Sequence, residues 1–456
     1  MSVLFLLPGL LSLYLVIRGK LETAFLSIYL PALLLLPDGY AIRLPHVPPI
    51  SAAESALIPI GAVALYRLAV NGLPSLLDIL MGLFIASMGA SEAFNERVLN
   101  TGIQAVIVSF ISIFLAYATG RMIIERGGLR VATVRRFVVL VLLLGPLGLY
   151  EWRFGQNLYG VVGQKVFQLT SVHADVQFRA GHGRMAVCFN DSELAGIVFG
   201  ITAALNAWLF NLNKWHSAAN LGKLLGWLEK YHIPGLLLLL YIFLTQARGP
   251  LLAMGVTYLI LLIPRFKSRR AATVVVAILI ALTAVAVIRF YSQYTNITVP
   301  GAPMSEQQGS AVYRRQMNEL YQPVVNDGGL LGWGMLSHPI IPGMDSIDNE
   351  FLLVHIAYGS LGYILFLLLA AESFRRPLVR SWTMQAQEDQ AFAITLLGAM
   401  AVFWISITTV YMGEQLPQIA FLLIGWGQSI IPESTVSIGA QEQDVHSRFS
   451  FRRVIG

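Results

Sequence analysis

The chain has 456 residues, of which 56% are hydrophobic and 12% are charged, and its mean hydropathy is +0.66. A water-soluble globular protein carries about twice that share of charged residues, so the composition excludes soluble classes and predicts an integral membrane protein. The net charge of +6 comes mainly from loops beside apolar segments, and it gives no indication of nucleic-acid binding.

Apolar segments of membrane-spanning length recur along the whole chain. A hydrocarbon core of about 30 Å needs roughly 20 apolar residues per helix, and fewer where flanking side chains reach the interface. The sequence therefore predicts an all-α polytopic fold with about 12–14 transmembrane helices. The expected spans are 2–17, 22–36, 55–70, 75–91, 100–119, 135–152, 191–211, 232–246, 250–264, 271–289, 351–373, 392–412 and 415–431.

The distribution of lysine and arginine predicts the orientation. Short connections hold most of the 31 lysines and arginines, with clusters at 121–136 and 265–270. Short basic loops stay on the cytoplasmic side, which places the C-terminus inside and the N-terminus outside. The two longest connections, 153–190 and 290–350, then form outer loops, and we expect the second to carry short helices.

The same pattern suggests an organisation in three parts. These are an N-terminal transmembrane region over 1–152, a second membrane region over 153–431 that includes both outer loops, and a cytoplasmic tail over 432–456. The first segment lacks the positive flank and cleavage site of a signal peptide, so it is taken as the first span. Residues 213–231 predict an interfacial amphipathic helix, and the single Cys188 excludes an internal disulfide.

Arginines outside the expected cytoplasmic segments are candidates for function, because the orientation bias does not explain them. Arg248 lies in a tight turn between two apolar segments, while Arg314 and Arg315 begin a helical run that a glycine-rich stretch follows. A guanidinium group can donate two parallel hydrogen bonds to phosphate oxygens. A snorkelling arginine in the turn and a solvated face on the loop helix are the structural alternatives.

Acidic residues beside these arginines offer acid–base chemistry. Arg179, Arg184 and Glu193 lie just before the span at 191, where the carboxylate either forms an ion pair or acts as a tuned base. Asp348 and Asn349 lie where the long loop re-enters the membrane, and either side chain could instead cap the following helix. The histidines lack metal-binding spacing and no nucleotide-binding loop is present, so neither a metal nor a cofactor is predicted.

Several of these residues together resemble the O-antigen polymerase and ligase superfamily (Wzy and WaaL) over about residues 170 to 365. The matching stretches are Phe178-Arg179 to Gly196, Thr245-Gln-Ala-Arg248-Gly249-Pro-Leu-Leu-Ala, Tyr313-Arg314-Arg315 to Gly332-Trp333-Gly334, and Asp348-Asn349 followed by Gly359 and Gly362. The last stretch has Asp348 where ligases usually carry His. This departure makes the chain more similar to polymerase members.

The resemblance implies a fold like that of the glycosyltransferase-C enzymes and a transferase at the outer face of the bacterial inner membrane. Its donor and acceptor would be glycans linked to undecaprenyl diphosphate, polymerised into O-antigen, capsule or exopolysaccharide. Arginines at the outer face would stabilise the leaving diphosphate in a region of low dielectric. The implied roles are diphosphate binding for Arg248, Arg314, Arg315, Arg179 and Arg184, base for Asp348 or else Glu193, and substrate orientation for Asn349 and Trp333.

Two other functions compete with a polymerase. A ligase would transfer the glycan to lipid A core or another acceptor. A polysaccharide transporter or flippase would be expected to show internal repeats and mid-membrane ionisable groups, whereas here the charges gather at one face. Membrane lipids are expected partners, and a chain-length regulator and a flippase are further potential partners of a polymerase.

Overall fold

The computed structural model describes residues 2–43, 48–71, 74–170, 172, 174–179, 181–212, 214–215, 227, 232–296, 305–344 and 346–431. Almost all regular structure in this part of the chain is helical. The predicted amphipathic helix at 213–231 and the tail over 432–456 lie largely or wholly outside the described residues.

The helices follow one another with short connections except around two long loops. In chain order they are α1 (Leu7–Ile17, after a 3-10 turn at Ser2–Leu6), α2 (Leu21–Leu35), α3 (Ala52–Asn71), α4 (Leu76–Glu96), α5 (Leu99–Ile124), α6 (Arg130–Phe154), α7 (Leu158–Lys165), α8 (Ser192–Asn211), α9 (Ile233–Leu244), α10 (Arg248–Leu262), α11 (Arg269–Thr295), α12 (Glu306–Asp327), α13 (Glu350–Thr383), α14 (Gln387–Ser406) and α15 (Leu416–Ser429). Two antiparallel hairpins complete the fold, β1 (Ala41–Ile42) with β2 (Ile50–Ser51) and β3 (Phe178–Arg179) with β4 (His182–Gly183).

Each predicted span coincides with one of these helices, which confirms an all-α polytopic membrane protein. By length and composition, eight described helices could cross a membrane, and three shorter apolar helices include α1, α2 and α9. Helices α10 and α15, at 15 and 14 residues, fall below that length. The total number of crossings therefore remains a prediction. In its described part, the second long loop carries α12, a helix of 22 residues.

Polar side chains define where several helices begin. Ser75 and Asp78 form a capping box at the start of α4, and Asp191 and Asn349 accept hydrogen bonds from backbone N–H groups at the starts of α8 and α13. Such caps satisfy N–H groups that have no partner within the helix. The bundle interior is apolar, and α8 and α14 lie at its centre with nearly all their residues buried.

The two ends of the bundle differ in character. At one end, Arg130 pairs with Glu125 and Asp389, each at 2.5 Å, and Arg121 pairs with Asp78. We call the opposite end the long-loop end. It comprises the described parts of 36–51, 155–191 and 296–349, with the turns at 245–247 and 407–415. Hydrogen bonds such as Arg184 to Thr245 and Glu350 to Ile407 join these segments.

Helix α13 is broken at Gly359, and a glycine-rich loop is docked in the break. Gly359 has φ 65° and ψ −167°, a conformation that is essentially restricted to glycine. A Cβ added at Gly359 would lie 2.4 Å from the backbone nitrogen of Gly332, and the reverse holds for Gly332. Two backbone segments therefore meet at Gly359.

Candidate functional site

Two arginines and two carboxylates from three separate parts of the chain meet at the long-loop end. We call Arg184, Glu193, Arg314 and Asp348 the arginine cluster. Oε1 of Glu193 lies 3.4 Å from Nη2 of Arg184 and 3.4 Å from Nη2 of Arg314. Oδ2 of Asp348 lies 3.9 Å from the same Nη2 of Arg314. The carboxylates therefore hold two like-charged guanidinium groups close together.

Local structure fixes the position of each member. Glu193 lies in the first turn of α8, where Asp191 caps the helix by accepting the N–H of Glu193 at 2.7 Å. Arg314 lies within α12, which contacts both α11 and α13. Asp348 immediately precedes the cap of α13 and accepts a hydrogen bond from the hydroxyl of Ser346 at 2.8 Å. The cluster thus joins two helix starts and the loop helix.

The two arginines differ in how many of their donors the protein already uses. Arg184 is buried and donates to the Thr245 carbonyl, to Oε1 of Gln177 and to Glu193. Arg314 uses only Nη2 for Glu193 and Asp348, and within the described residues its buried Nε has no hydrogen-bond partner. Buried donors are normally satisfied. Arg314 is therefore the arginine of the cluster whose donors the described residues use least.

The turn at 245–247 places Arg248 and Arg179 beside this cluster. Nη1 of Arg179 donates to the Gln246 carbonyl at 2.8 Å, and Arg184 holds the neighbouring Thr245 carbonyl. Gln246 has φ 52°, a left-handed conformation that is uncommon for residues other than glycine. Arg248 follows as the first residue of α10, where its side chain is exposed and forms no ion pair with any described residue.

Three other predicted site residues have structural contacts of their own. Arg315 points away from the cluster and pairs with Glu319 one helical turn later, at 2.8 Å, with a side chain that is 40% exposed. Asn349 is the cap of α13, since its Oδ1 accepts the N–H groups of Phe351 and Leu352. The indole N–H of Trp333 donates to the Val324 carbonyl at 2.8 Å. Arg315 therefore lies outside the arginine cluster, while the proposed orienting roles of Asn349 and Trp333 remain predictions.

A polar cavity lies beside the cluster, and sequence reasoning did not identify it. We call it the loop cavity. Its polar lining comes from several segments and includes Glu151, Asn157, Gln177, Arg184, Asn190 and Glu414. Glu414 had one signal in the sequence, because it is a carboxylate in a very short break between two apolar segments, where ionisable groups are costly.

Burial changes the ionisation of groups around the loop cavity. Burial and, to a smaller extent, the nearby Asp38 and Asp191 raise the pKa of Glu414, and the Asn190 N–H lowers it. The resulting pKa of Glu414 is about 7. Burial also raises the pKa of Cys188, so that thiol stays neutral near pH 7. Glu414 has φ 57° and thus a strained backbone. The loop cavity therefore contains a carboxyl group that titrates near neutral pH.

The described residues contain no group of three or more His, Cys, Asp or Glu side chains arranged to hold a metal ion. The charged and polar groups of the site are its arginines, carboxylates and amide side chains. His173 and Asp345 lie outside the described residues.

Comparison with protein families adds an independent observation. Residues 233–367 match a family model, Wzy_C, whose description is O-antigen ligase. The chain carries a Wzy_C domain. This domain begins with α9 and ends within α13, beyond the break at Gly359, so it contains Arg248, Arg314 and Asp348. No curated protein matches the chain.

The Wzy_C match confirms the predicted resemblance and supports a function of the O-antigen polymerase or ligase type. The match does not extend to Arg179, Arg184 or Glu193, which lie before it. These three residues are brought to the Wzy_C domain by contacts, through the turn at 245–247 and through Arg314. The candidate site is therefore built partly from the domain and partly from the preceding loop.

Proposed function

We propose that this protein is a membrane glycosyltransferase that polymerises undecaprenyl-diphosphate-linked repeat units at the outer face of the bacterial inner membrane. The observation that carries the proposal is Arg314 of the Wzy_C domain, whose Nη2 meets Glu193 and Asp348 and whose Nε has no hydrogen-bond partner among the described residues. A site for a diphosphate leaving group requires such a positive group at the membrane boundary.

The reaction is a displacement at the anomeric carbon of the donor glycan. The acceptor hydroxyl oxygen forms the new bond to that carbon, and its proton passes to the carboxylate of Asp348. The bond from the carbon to the diphosphate oxygen breaks, and undecaprenyl diphosphate leaves with the electron pair. Arg314 and Arg248 stabilise the charge that develops on the diphosphate, with Arg179 nearby. No metal or cofactor is needed for this balance.

Helix α11 supports a lipid-linked donor. All ten residues from 281 to 290 are exposed, so the helix stands clear of the bundle on every side over nearly three turns. Its end is joined to α12 by the hydroxyl of Tyr291, which donates to the Ala311 carbonyl at 2.8 Å. The apolar surface of α11 thus leads to the helix that carries Arg314. An isoprenoid chain lying along α11 would bring its diphosphate towards the arginine cluster.

A ligase is the second candidate function, because the matching family is described as O-antigen ligase. The two functions differ in the acceptor, which is another lipid-linked repeat unit for a polymerase and lipid A core or another molecule for a ligase. Asp348 occupies the position where the resemblance places His in ligases, and this favours the polymerase.

The deciding experiment uses purified protein and an undecaprenyl-diphosphate-linked repeat unit as the only substrate, with products separated on a gel. We expect a ladder of polymer lengths. Transfer only after lipid A core is added would make the protein a ligase. The absence of transfer to any acceptor would overturn the proposed chemistry and favour a transporter.

Adjacent arginines provide a matched pair of variants for the diphosphate site. Arg314→Ala removes a guanidinium group from the arginine cluster, and we expect kcat to fall by about 100- to 1,000-fold, as when one donor to a developing anion is removed. Arg315→Ala removes the same group one residue later, from an exposed pair with Glu319, and should change kcat by less than about threefold. Equal losses in the two variants would contradict the assignment.

Arg248→Ala should abolish polymer formation while leaving folding and insertion intact.

A further inference from the structure

The loop cavity has carboxyl groups with different roles. Both oxygens of Glu151 are used by the protein, since Oε1 accepts from Asn157 at 3.0 Å and Oε2 accepts the N–H groups of Ala186 and Val187. Glu151 therefore holds the cavity wall together. Glu414 accepts the N–H of Asn190 at 3.0 Å and has no ion pair with any described residue.

The cavity is suited to a neutral, hydroxyl-rich ligand. Glu151 and Glu414 line it, and Asp38 and Asp191 act on Glu414 from nearby. Together they disfavour entry of an anionic group. A carboxylate accepts strong hydrogen bonds from hydroxyl groups, and amide side chains can both donate and accept.

Arg184 connects the cavity to the arginine cluster. Its side chain lines the cavity, and its Nη2 lies 3.4 Å from Glu193 on the other side. A ligand in the cavity would therefore lie beside Arg184, which is itself a member of the arginine cluster. The arginine cluster favours an anionic group, the loop cavity favours a neutral one, and Arg184 lies between them. A transferase with an anionic leaving group and a neutral nucleophile requires both kinds of site.

We propose that the loop cavity binds the hydroxyl-bearing end of the acceptor glycan, with Glu414 accepting a hydrogen bond from a sugar hydroxyl. This inference rests on the proposed transferase function and adds a specificity-determining site that lies outside the matched family domain. Asn190 and Gln177 line the cavity with Glu414 and provide amide groups for further sugar hydroxyls.

The test separates the acceptor from the donor. The acceptor-only probe is the repeat-unit oligosaccharide on a short alkyl carrier without diphosphate, which cannot act as donor because it has no leaving group. Initial rates are measured against probe concentration with saturating lipid-linked donor, and then against donor concentration with saturating probe. We expect Glu414→Gln to raise the KM for the probe about tenfold, the loss of roughly one charge-assisted hydrogen bond, and to leave the KM for the donor unchanged.

Glu319→Gln is the matched control, because Glu319 is a glutamate of the same end of the bundle in an exposed pair with Arg315. Both of its KM values should equal those of the wild type. An unchanged probe KM in Glu414→Gln, or a rise in the donor KM alone, would overturn the assignment of the cavity to the acceptor.

Direct binding distinguishes failure of this inference from failure of the proposed function. Binding of the radiolabelled probe to detergent-solubilised protein is measured without donor, and gel filtration of each variant verifies that it is folded. Weaker binding to Glu414→Gln than to wild type and to Glu319→Gln supports the cavity even if no transfer occurs. Equal binding to all three proteins, or none to the wild type, rules it out.

Discussion

Substituting Gly359 with alanine should detach the glycine-rich loop from α13. Four backbone hydrogen bonds join the two segments: Trp333 N–H to the Ile356 carbonyl at 3.0 Å, Gly334 N–H to Ala357 at 2.8 Å, Ser360 N–H to Gly329 at 3.1 Å and Leu361 N–H to Leu330 at 3.1 Å. An added Cβ would lie 2.4 Å from the Gly332 nitrogen and 2.5 Å from the Leu330 carbonyl oxygen. Neither backbone atom can move away without breaking this set.

We expect the Gly359→Ala substitution to cost more free energy than the hydrogen bonds between the glycine-rich loop and α13 provide. The conformation of Gly359 costs other residues about 1–3 kcal/mol. The steric overlap adds about 1–3 kcal/mol if the segments shift and stay joined. Gly329→Ala is the matched control from the same loop, because Gly329 also has a positive φ, +59°, but a Cβ there meets no atom within 4 Å. That control incurs only the left-handed backbone cost of about 1–2 kcal/mol.

Hydrogen exchange measured by mass spectrometry reports directly on the four backbone hydrogen bonds between the glycine-rich loop and α13. In Gly359→Ala, the amides of Trp333, Gly334, Ser360 and Leu361 should exchange roughly a hundredfold faster than in the wild type, which corresponds to about 3 kcal/mol. In Gly329→Ala, they should stay protected to within about tenfold. Wild-type protection in Gly359→Ala would refute the docking as the reason for glycine at this position.

Three further predictions concern side chains of the site. Asp348→Asn keeps the shape of the side chain but removes its basicity, so kcat should fall by about 100- to 10,000-fold, and full activity would show that Asp348 is not the base. Glu193→Gln leaves Arg184 and Arg314 without their shared counter-ion, and thermal unfolding of the purified protein should show a loss of up to about 3 kcal/mol, whereas unchanged stability would contradict its role. Because the pKa of Glu414 is about 7, its charged form gains as pH rises, so the acceptor KM should be lower at pH 8 than at pH 6 in the wild type and flat in Glu414→Gln.

The helices were predictable because their signal is local. Each apolar run is long enough for the hydrocarbon core, and polar residues mark where it begins, so the expected spans agree with the observed helices to within a few residues at most ends. The cap at Asn349 is likewise a local pattern. The end of α14 was predicted six residues too late, because Ile407 to Met412 are mostly apolar but form a turn.

Contacts between distant segments were not predictable from one sequence. The sequence placed Arg314 and Arg315 on equal terms, and only the direction of the α12 face that meets Glu193 distinguishes them. Gly359 in an apolar run has the same pattern as a packing glycine, and its break depends on Gly332, which lies in another segment. Glu414 lacked any motif, since its neighbours come from several loops.

Arg184 lies between the arginine cluster and the loop cavity, and its charge affects the two differently. A guanidinium group saturated by the Thr245 carbonyl, Gln177 and Glu193 has few donors left for a ligand, yet its charge still acts on both compartments. On one side its charge adds to that of Arg314 and favours an anionic diphosphate. On the other side it offsets part of the negative charge of Glu414 and Glu151, which line the cavity. In the proposed transferase, a fixed charge in the shared wall would allow one site to bind a negatively charged leaving group and a neutral nucleophile side by side.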